Sequence, residues 1–400
     1  MPGDRRVLLA NSIYHLTNDG AVTVMAGQIT VLRNEFEFGS FEIGLLTGIA
    51  FLVTAVFQVV SGALSDRRDP SRFLSYGIVL LGIGSLLIAA STTFAMLAAL
   101  VALSRIGASF YHPVGIAWVG REFAGEPLDR SMGFQSAFGD SGVILGMMSG
   151  AILAAAYGWT SPFLLWGALN LAAVAVALAL VRGRTVPVPE TFVRVDYRAI
   201  LRDVRLWIFP LGLGGAAFAI FTSFGPPLLK DKFGLGDAEA GVSIALWILA
   251  GALVAFFFGR VSKRFGRFRT LVASYGFLAV ASLVGAVAAH PAFVLAAFWT
   301  LGSALFVTYP ALFSFVSESS QRRLQGAAFG FIFAFQLLGG ALGSFAAGAL
   351  AGAVAGIGDL GATAPFYFVA AITALGFGYL LLLQGRLRNG REAPAVSPLV

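Results

Sequence analysis

Twelve long apolar runs constrain the fold of this chain more than any other feature of its sequence. A membrane-spanning helix needs about 20 consecutive, mainly apolar residues, and each run is of about that length. The runs cover residues 8–32, 41–64, 73–92, 94–120, 131–157 and 162–182 in the first half, and 206–229, 239–259, 270–289, 292–317, 325–352 and 363–384 in the second. The pattern predicts an all-α membrane protein with twelve transmembrane helices.

The composition agrees with a bilayer as the solvent. Hydrophobic residues make up 58% of the 400 positions and charged residues only 12%, a balance that does not suit a water-soluble domain. The 49 glycines fit the same interpretation, because small residues let membrane helices pack closely. The chain has no cysteine, which excludes disulfides and thiolate metal sites.

The basic residues mark one side of the membrane. With the N-terminus inside, the inside segments hold 23 of the 27 lysines and arginines, and the outside segments hold only Arg33, Lys230 and Lys232. Such a bias identifies the cytoplasmic face. We therefore predict a multi-pass protein of the plasma membrane with both termini cytoplasmic. Its basic residues lie in loops between apolar runs, so we expect contacts with membrane lipid and none with nucleic acid.

The two halves of the sequence are related by an ungapped shift of 197 residues. The shift pairs Glu42 with Glu239, Gly62 with Gly259, Pro113 with Pro310, and Gly142 with Gly339. It predicts two pseudo-symmetric six-helix bundles, 1–182 and 206–400, the second with a short cytoplasmic tail. The cytoplasmic linker 183–205 is expected to be a loop that leads into a short interfacial helix. Duplicated halves of this kind are typical of alternating-access carriers.

Two loops carry a family resemblance. The segment GALSDRR at 62–68 resembles the cytoplasmic signature loop of the major facilitator superfamily, and GRVSKRFGR at 259–267 is its echo in the second half. The resemblance implies a conformational switch built from Gly62, Asp66, Arg67, Gly259, Arg264 and Arg267. Asp66 is expected to cap or pair with a helix terminus in one access state, and Arg67 and Arg264 to bond near the cytoplasmic helix ends.

A closer resemblance is to the fosmidomycin-resistance branch of that superfamily. It rests on HLTND at 15–19 and GASFYHP at 107–113. It implies proton-coupled efflux of a drug-like or anionic solute. The chain departs from the family at Ser109, where a glycine is usual, and in its fifth span, which lacks the proline of the antiporter pattern.

Ionisable residues within the spans are the candidates for chemistry, because a charge in hydrocarbon is costly. They are His15, Asp19, Arg105, His112 and Asp140, with Asn18 on the same polar stripe, and all lie in the first half. A helical rise of about 1.5 Å per residue places Asp19, His112 and Asp140 roughly 14–16 Å from the cytoplasmic ends of their spans. We expect Asp19, Arg105, His112 and Asp140 to form one coupled cluster; the alternative is a static Arg105–Asp140 pair. The family plan adds Tyr309 and Gln336 to the cavity.

The sequence favours a carrier over an enzyme. It has three histidines in all and no glycine-rich phosphate loop, which argues against a metal site, a Ser-His-Asp arrangement and ATP as energy source. We therefore expect a monomeric secondary-active transporter of small molecules that needs no cofactor and is driven by a proton gradient. An uptake symporter or uniporter is the alternative, followed by a receptor without transport, which would not need costly buried charges.

The absence of cysteine makes the predicted orientation directly testable. Single cysteines replacing Gly3, Arg194 and Gly236 need no background to be removed. We expect an impermeant thiol reagent applied to intact cells to label only the Gly236→Cys protein, because the other two positions are predicted to be cytoplasmic. Labelling of Gly3→Cys from outside would overturn the orientation.

Overall fold

The computed structural model describes residues 4–65, 68–123, 126–183, 196–319 and 325–388. These residues form helices and no strands. In the first half the helices are α1 (Arg5–Gly27), α2 (Ile29–Glu35), α3 (Ser40–Ser65), α4 (Pro70–Ile88), α5 (Phe94–Ala108), α6 (Tyr111–Glu122), α7 (Glu126–Tyr157) and α8 (Thr160–Leu180). In the second half they are α9 (Tyr197–Phe233), α10 (Asp237–Phe256), α11 (Phe258–Phe265), α12 (Arg267–Val287), α13 (Pro291–Ser319), α14 (Gln325–Ala353) and α15 (Leu360–Arg388).

The helices belong to two compact units. The first comprises Met1–Phe38, Ile49–Arg194 and Asp237–Ala245, and the second Gly39–Gly48, Val195–Gly236 and Leu246–Val400. Helices α3 and α10 each have their first residues in one unit and the remainder in the other. The division of the chain at the 183–205 linker stays a prediction, since residues 184–195 lie outside the part of the chain that the structure describes.

Eleven helical segments among the described residues are long and apolar enough to cross a membrane, with α5 and α6 together forming one of them. The remaining predicted span, 8–32, forms α1 and the beginning of α2. Its polar residues Asn11, His15 and Asn18 make it less apolar than the others, but all three are buried inside the protein. Helix α1 therefore turns its polar stripe to α6 and α7, where Asn11 contacts Tyr111 and His15 contacts Gln135, rather than presenting it to lipid.

The beginning of the second half differs from the prediction. Residues 197–205 do not form a separate interfacial helix; they are the first turns of α9, which continues without a break to Phe233. The side chain of Asp196 accepts hydrogen bonds from the backbone N–H groups of Arg198 and Ala199. This N-cap satisfies two of the donors that a helix start leaves free, so the helix begins at Tyr197, inside the segment that was predicted to be the linker.

The helix boundaries repeat at the offset found in the sequence. The starts of α3, α4 and α5, at Ser40, Pro70 and Phe94, correspond to the starts of α10, α12 and α13 when 197 is added. The end of α6 at Glu122 corresponds in the same way to the end of α13 at Ser319. The duplication therefore preserved where helices begin and end, as well as the residues that align.

Glycines let α7 approach α1 at backbone distance. Gly142 faces the carbonyl oxygen of Leu16, Gly146 faces that of Gly20, and Gly150 faces that of Val24. A Cβ atom at any of the three glycines would overlap its facing oxygen. This stretch of contact is called the α1–α7 seam below. In the second half Gly339 meets the backbone of α9 in the same manner, which is the place that the 197-residue offset assigns to it.

The fourth predicted span is broken at Ser109 and Phe110, between α5 and α6. Pro113 has no N–H, so the carbonyl of Ser109 loses its usual helical donor. The hydroxyl of Ser61 on α3 donates to that carbonyl at 2.9 Å. In hydrocarbon a freed backbone group must find a partner within the protein, and Ser61 supplies it.

The same compensation occurs in α9, which contains Pro210 in its interior. The carbonyl of Leu206, four residues earlier, lacks a helical donor because of that proline. The hydroxyl of Tyr379 on α15 donates to it at 2.9 Å. At Pro113 and Pro210 the freed carbonyl is thus satisfied by a hydroxyl group from a neighbouring helix.

The α1–α7 seam gives a direct test of the packing. We expect Gly142→Ala to lower stability by about 1–3 kcal/mol, because the added methyl group forces the two backbones apart. The matched control is Gly133→Ala on the same helix, where an added Cβ meets nothing within 4 Å. Thermal unfolding of the purified proteins in detergent should show a lower melting temperature for Gly142→Ala only. Equal melting temperatures would mean that α1 and α7 can move apart at the seam at little cost in stability.

Candidate functional site

Asp19 is the centre of a polar cluster formed by α1 and α6. Its Oδ2 lies 3.2 Å from Nε2 of His15, one helical turn earlier. Its Oδ1 accepts a hydrogen bond of 2.9 Å from the Asn18 amide and lies 3.7 Å from Nε2 of His112. The structure thus brings together four of the residues that the sequence singled out.

The imidazole of His15 is held in one orientation by α7. Its Nδ1 lies 2.7 Å from the backbone carbonyl of Gln135, and because a carbonyl can only accept, Nδ1 carries the hydrogen. Nε2 is therefore the atom turned to Asp19. A Cβ at position 139 would collide with the ring, so the glycine there leaves the space that the imidazole occupies. Tyr111 stacks on the ring with a centroid separation of 4.2 Å.

Tyr111 also joins the cluster to a hydrogen-bonded chain. Its hydroxyl donates to Oε1 of Gln135 at 2.9 Å and accepts from the amide of Asn11 at 3.1 Å. Tyr111, Gln135 and Gly139 were not among the site residues predicted from the sequence. Tyr111 stands beside His112 in the FYHP segment, which was a usable signal. Gln135 acts through its backbone carbonyl as well as its side-chain oxygen, and Gly139 acts through the absence of a side chain. A single sequence does not distinguish these two residues from other glutamines and glycines.

Asp140 adds a second carboxylate to the surroundings of Asp19. It lies on α7, is half-buried, and is close enough to Asp19 and His15 to interact electrostatically. It forms no hydrogen bond or ion pair with any residue among those described. Two carboxylates that interact repel each other, so this pair favours an added positive charge.

Arg105 binds a different partner from those expected. Its Nη2 donates to the backbone carbonyl of Val22 on α1 at 2.6 Å, and the residue is only 7% exposed. It forms no ion pair with a carboxylate within the described ranges, so the Arg105–Asp140 pair is not formed. A buried guanidinium needs acceptors, and the carbonyl of a neighbouring helix meets that need. Its part in coupling stays a prediction.

Tyr309 and Gln336 lie together in the second unit. The hydroxyl of Tyr309 donates to the carbonyl of Gly214 at 3.3 Å, and its side chain contacts that of Gln336. The 197-residue offset relates Gln336 to Gly139 and places a glycine at the position of His15. Large and small residues have therefore changed places between the two halves. Whether Tyr309 and Gln336 contact substrate stays a prediction.

The first-half signature segment is described only in part. Asp66 and Arg67 lie outside the described residues. A Cβ at Gly62 would lie 3.3 Å from Cβ of Pro113, so this glycine allows α3 to pass close to the break between α5 and α6. A switching role for the segment stays a prediction.

The second-half signature segment is helical, where a loop was expected. Gly259 and Arg264 lie on α11, which has no buried residue. Gly259 has open space around it, and Arg264 lies over the ring of Phe265 at 5.4 Å. Arg267, at the start of α12, instead forms an ion pair of 2.5 Å with Glu318 near the end of α13. In this structure the bond between helix ends is thus made by Arg267 rather than Arg264.

The cluster also has the donor atoms of a metal site, although the small number of histidines in the sequence argued against one. One donor atom each from His15, Asp19 and His112 lie within 4.8 Å of one another. Two of the three histidines of the chain therefore meet at a single carboxylate.

The position of Arg105 predicts how it combines with Asp140 in a double mutant. We expect Arg105→Gln to destabilise the protein, because it removes a charged donor worth about 1.5–3 kcal/mol. With no direct pair, Asp140→Asn should add to that change within about 0.5 kcal/mol. Thermal unfolding of both single variants and the double variant in detergent measures this. A double variant as stable as the wild type would show that the two charges neutralise each other.

Comparison with known proteins identifies the family of this chain. The sequence profile of the Major Facilitator Superfamily matches residues 12–344. The chain is 23% identical over 333 residues to the bacillibactin exporter of Bacillus subtilis (strain 168), covering 79% of this chain and 82% of that protein. It is 25% identical over 277 residues to the fosmidomycin resistance protein of Escherichia coli (strain K12), covering 65% of this chain and 66% of the relative.

Solved structures show the same fold. A bacterial homologue of the human lysosomal transporter Spinster, in an inward-facing and unoccupied conformation, superposes with a TM-score of 0.78 at 17% identity, covering 98% of this chain and 100% of that one. The nucleoside transporter NupG superposes with a TM-score of 0.75 at 13% identity, covering 96% and 99%. The chain therefore belongs to the major facilitator superfamily and has its fold of twelve transmembrane helices in two six-helix bundles.

Proposed function

We propose that this transporter is a proton-coupled exporter of a drug-like or anionic small molecule. Membership of the superfamily makes it a multi-pass carrier of the membrane. One relative is a bacillibactin exporter, which supports the direction of transport. Another is a fosmidomycin resistance protein, which supports a drug-like solute. We extend this direction and this class of solute to the present chain.

One observation carries the coupling to protons: the carboxylate of Asp140 has no hydrogen-bonding or ionic partner among the described residues. An ionised carboxylate within a span costs free energy, and the neighbouring Asp19 adds repulsion to that cost. A bound proton removes both costs. When the site opens to water, solvation again supports the ionised form. Alternating access then makes proton uptake and release follow the state of the carrier.

The remaining parts of the proposal concern assembly and switching. We propose a monomer in the plasma membrane with both termini cytoplasmic, as the distribution of basic residues indicates. The residues proposed for the switch are Gly62, Asp66, Arg67, Gly259, Arg264 and Arg267. The ion pair between Arg267 and Glu318 supports a role in joining helix ends in one access state.

Transport in sealed proteoliposomes tests the coupling. A pH gradient is imposed, and a panel of labelled amphiphilic and anionic solutes is followed with the wild type, Asp140→Asn and Asp359→Asn. We expect Asp140→Asn to slow gradient-driven accumulation at least tenfold and to remove its dependence on pH, because the amide cannot take up a proton. Asp359, exposed in the turn before α15, undergoes the same chemical change away from the site and should transport normally.

The assay also separates the alternatives. Accumulation that persists in Asp140→Asn would remove this residue from the coupling. Accumulation in the direction of proton flow, rather than against it, would identify an uptake symporter. Wild-type transport that reaches equal concentrations on both sides whatever the gradient would identify a uniporter.

A further inference from the structure

We propose that His15, Asp19 and His112 form a binding site for a divalent transition-metal ion of the Zn²⁺ or Co²⁺ type. The inference rests on the donor atoms that α1 and α6 bring together. It is independent of the proposed proton coupling through Asp140, and it is tested by equilibrium binding without a gradient.

The spacing of the donor atoms suits such an ion. Nε2 of His15 lies 3.2 Å from Oδ2 of Asp19, and Nε2 of His112 lies 3.7 Å from Oδ1. Bonds of about 2.0–2.2 Å in a tetrahedral arrangement place ligand atoms about 3.3 Å apart. All three donor atoms lie within 4.8 Å of one another, and the side chain of His112, which is 31% exposed, has room to move closer.

The surroundings of His15 are those of a metal-ligating histidine. Such residues donate their other ring N–H to a carboxylate or a backbone carbonyl, and His15 donates Nδ1–H to the carbonyl of Gln135 at 2.7 Å. That bond leaves the Nε2 lone pair for a ligand. The ring cannot turn away easily, because Gly139 and Tyr111 enclose it.

Asn18 supplies a second, independent observation. Its Oδ1 is buried and has no hydrogen-bond donor among the described residues, while the residue as a whole is 1% exposed. A buried acceptor without a partner costs free energy. The NH2 group of the same amide donates to Oδ1 of Asp19 at 2.9 Å, so the unpaired oxygen belongs to a side chain that already contacts the proposed site, and a water molecule in the coordination shell of a bound cation would supply the missing donor. The nearby carboxylate of Asp140 adds a further attraction for positive charge.

The donor types define the class of ion. Two imidazole nitrogens and one carboxylate oxygen favour zinc, cobalt, nickel or iron. Magnesium and calcium prefer oxygen ligands alone. Three protein ligands leave at least one coordination position for water or for a group of the transported molecule.

Titration of the purified full-length chain in detergent with Co²⁺ tests the site. Cobalt bound to imidazole and carboxylate shows visible d–d absorption bands, and the absence of cysteine excludes competing thiolates. We expect saturation at one equivalent, displacement of the bands by Zn²⁺, and no displacement by Mg²⁺. The protein must be free of a polyhistidine tag.

His112→Gln is the decisive variant, because this partly exposed side chain can be replaced without emptying a buried space. We expect it to weaken cobalt binding at least tenfold, and Asp19→Asn to weaken it further. The matched control is His290→Gln, which changes the one histidine outside the cluster. An elution volume like that of the wild type in gel filtration shows that each variant is folded.

Two results would overturn the proposal. One is the absence of saturable cobalt bands in the folded wild type, which would mean that the contact between His15 and Asp19 is satisfied by a shared proton alone. The other is equal cobalt affinity in His112→Gln and His290→Gln, which would place any bound ion elsewhere.

Discussion

The close packing of α1 against α7 is the interaction on which the polar site depends. Gly142, Gly146 and Gly150 allow the two backbones to touch, and Gly139 continues the same face where the imidazole of His15 enters. Only at this distance can His15 reach the carbonyl of Gln135. The position of the Asp19 carboxylate is therefore set by glycines that carry no chemistry of their own.

A second constraint is that the bilayer supplies no water to backbone groups freed by proline. Ser61 satisfies the carbonyl that Pro113 leaves without a donor, which permits the break between α5 and α6. Because of that break, Arg105 and His112 lie on different helices of one span. Arg105 binds the carbonyl of Val22, and His112 faces Asp19. A local irregularity of the backbone thus distributes the buried charges.

The sequence could predict features that depend only on the order of residues along the chain. Apolar runs located the spans, the 197-residue offset predicted two duplicated halves, and the cost of burial identified His15, Asp19 and His112. The sequence could not predict the hydrogen-bond partners of the buried charges. The acceptors for Arg105 and for His15 Nδ1 are both backbone carbonyls, which every residue has. The start of α9 depended on Asp196, whose capping role is one of several that an aspartate can play.

The exchange of large and small residues between the halves has a consequence for how the duplicated carrier diverged. The first half has an imidazole on its first span and a glycine, Gly139, on its fifth; the second half has Gly212 and Gln336 at these positions. In the first half, a side chain at Gly139 would collide with the ring of His15, and a glycine in place of His15 would leave an empty space. Exchanging these two residues within the first half therefore requires both changes together, because either change alone creates a packing defect.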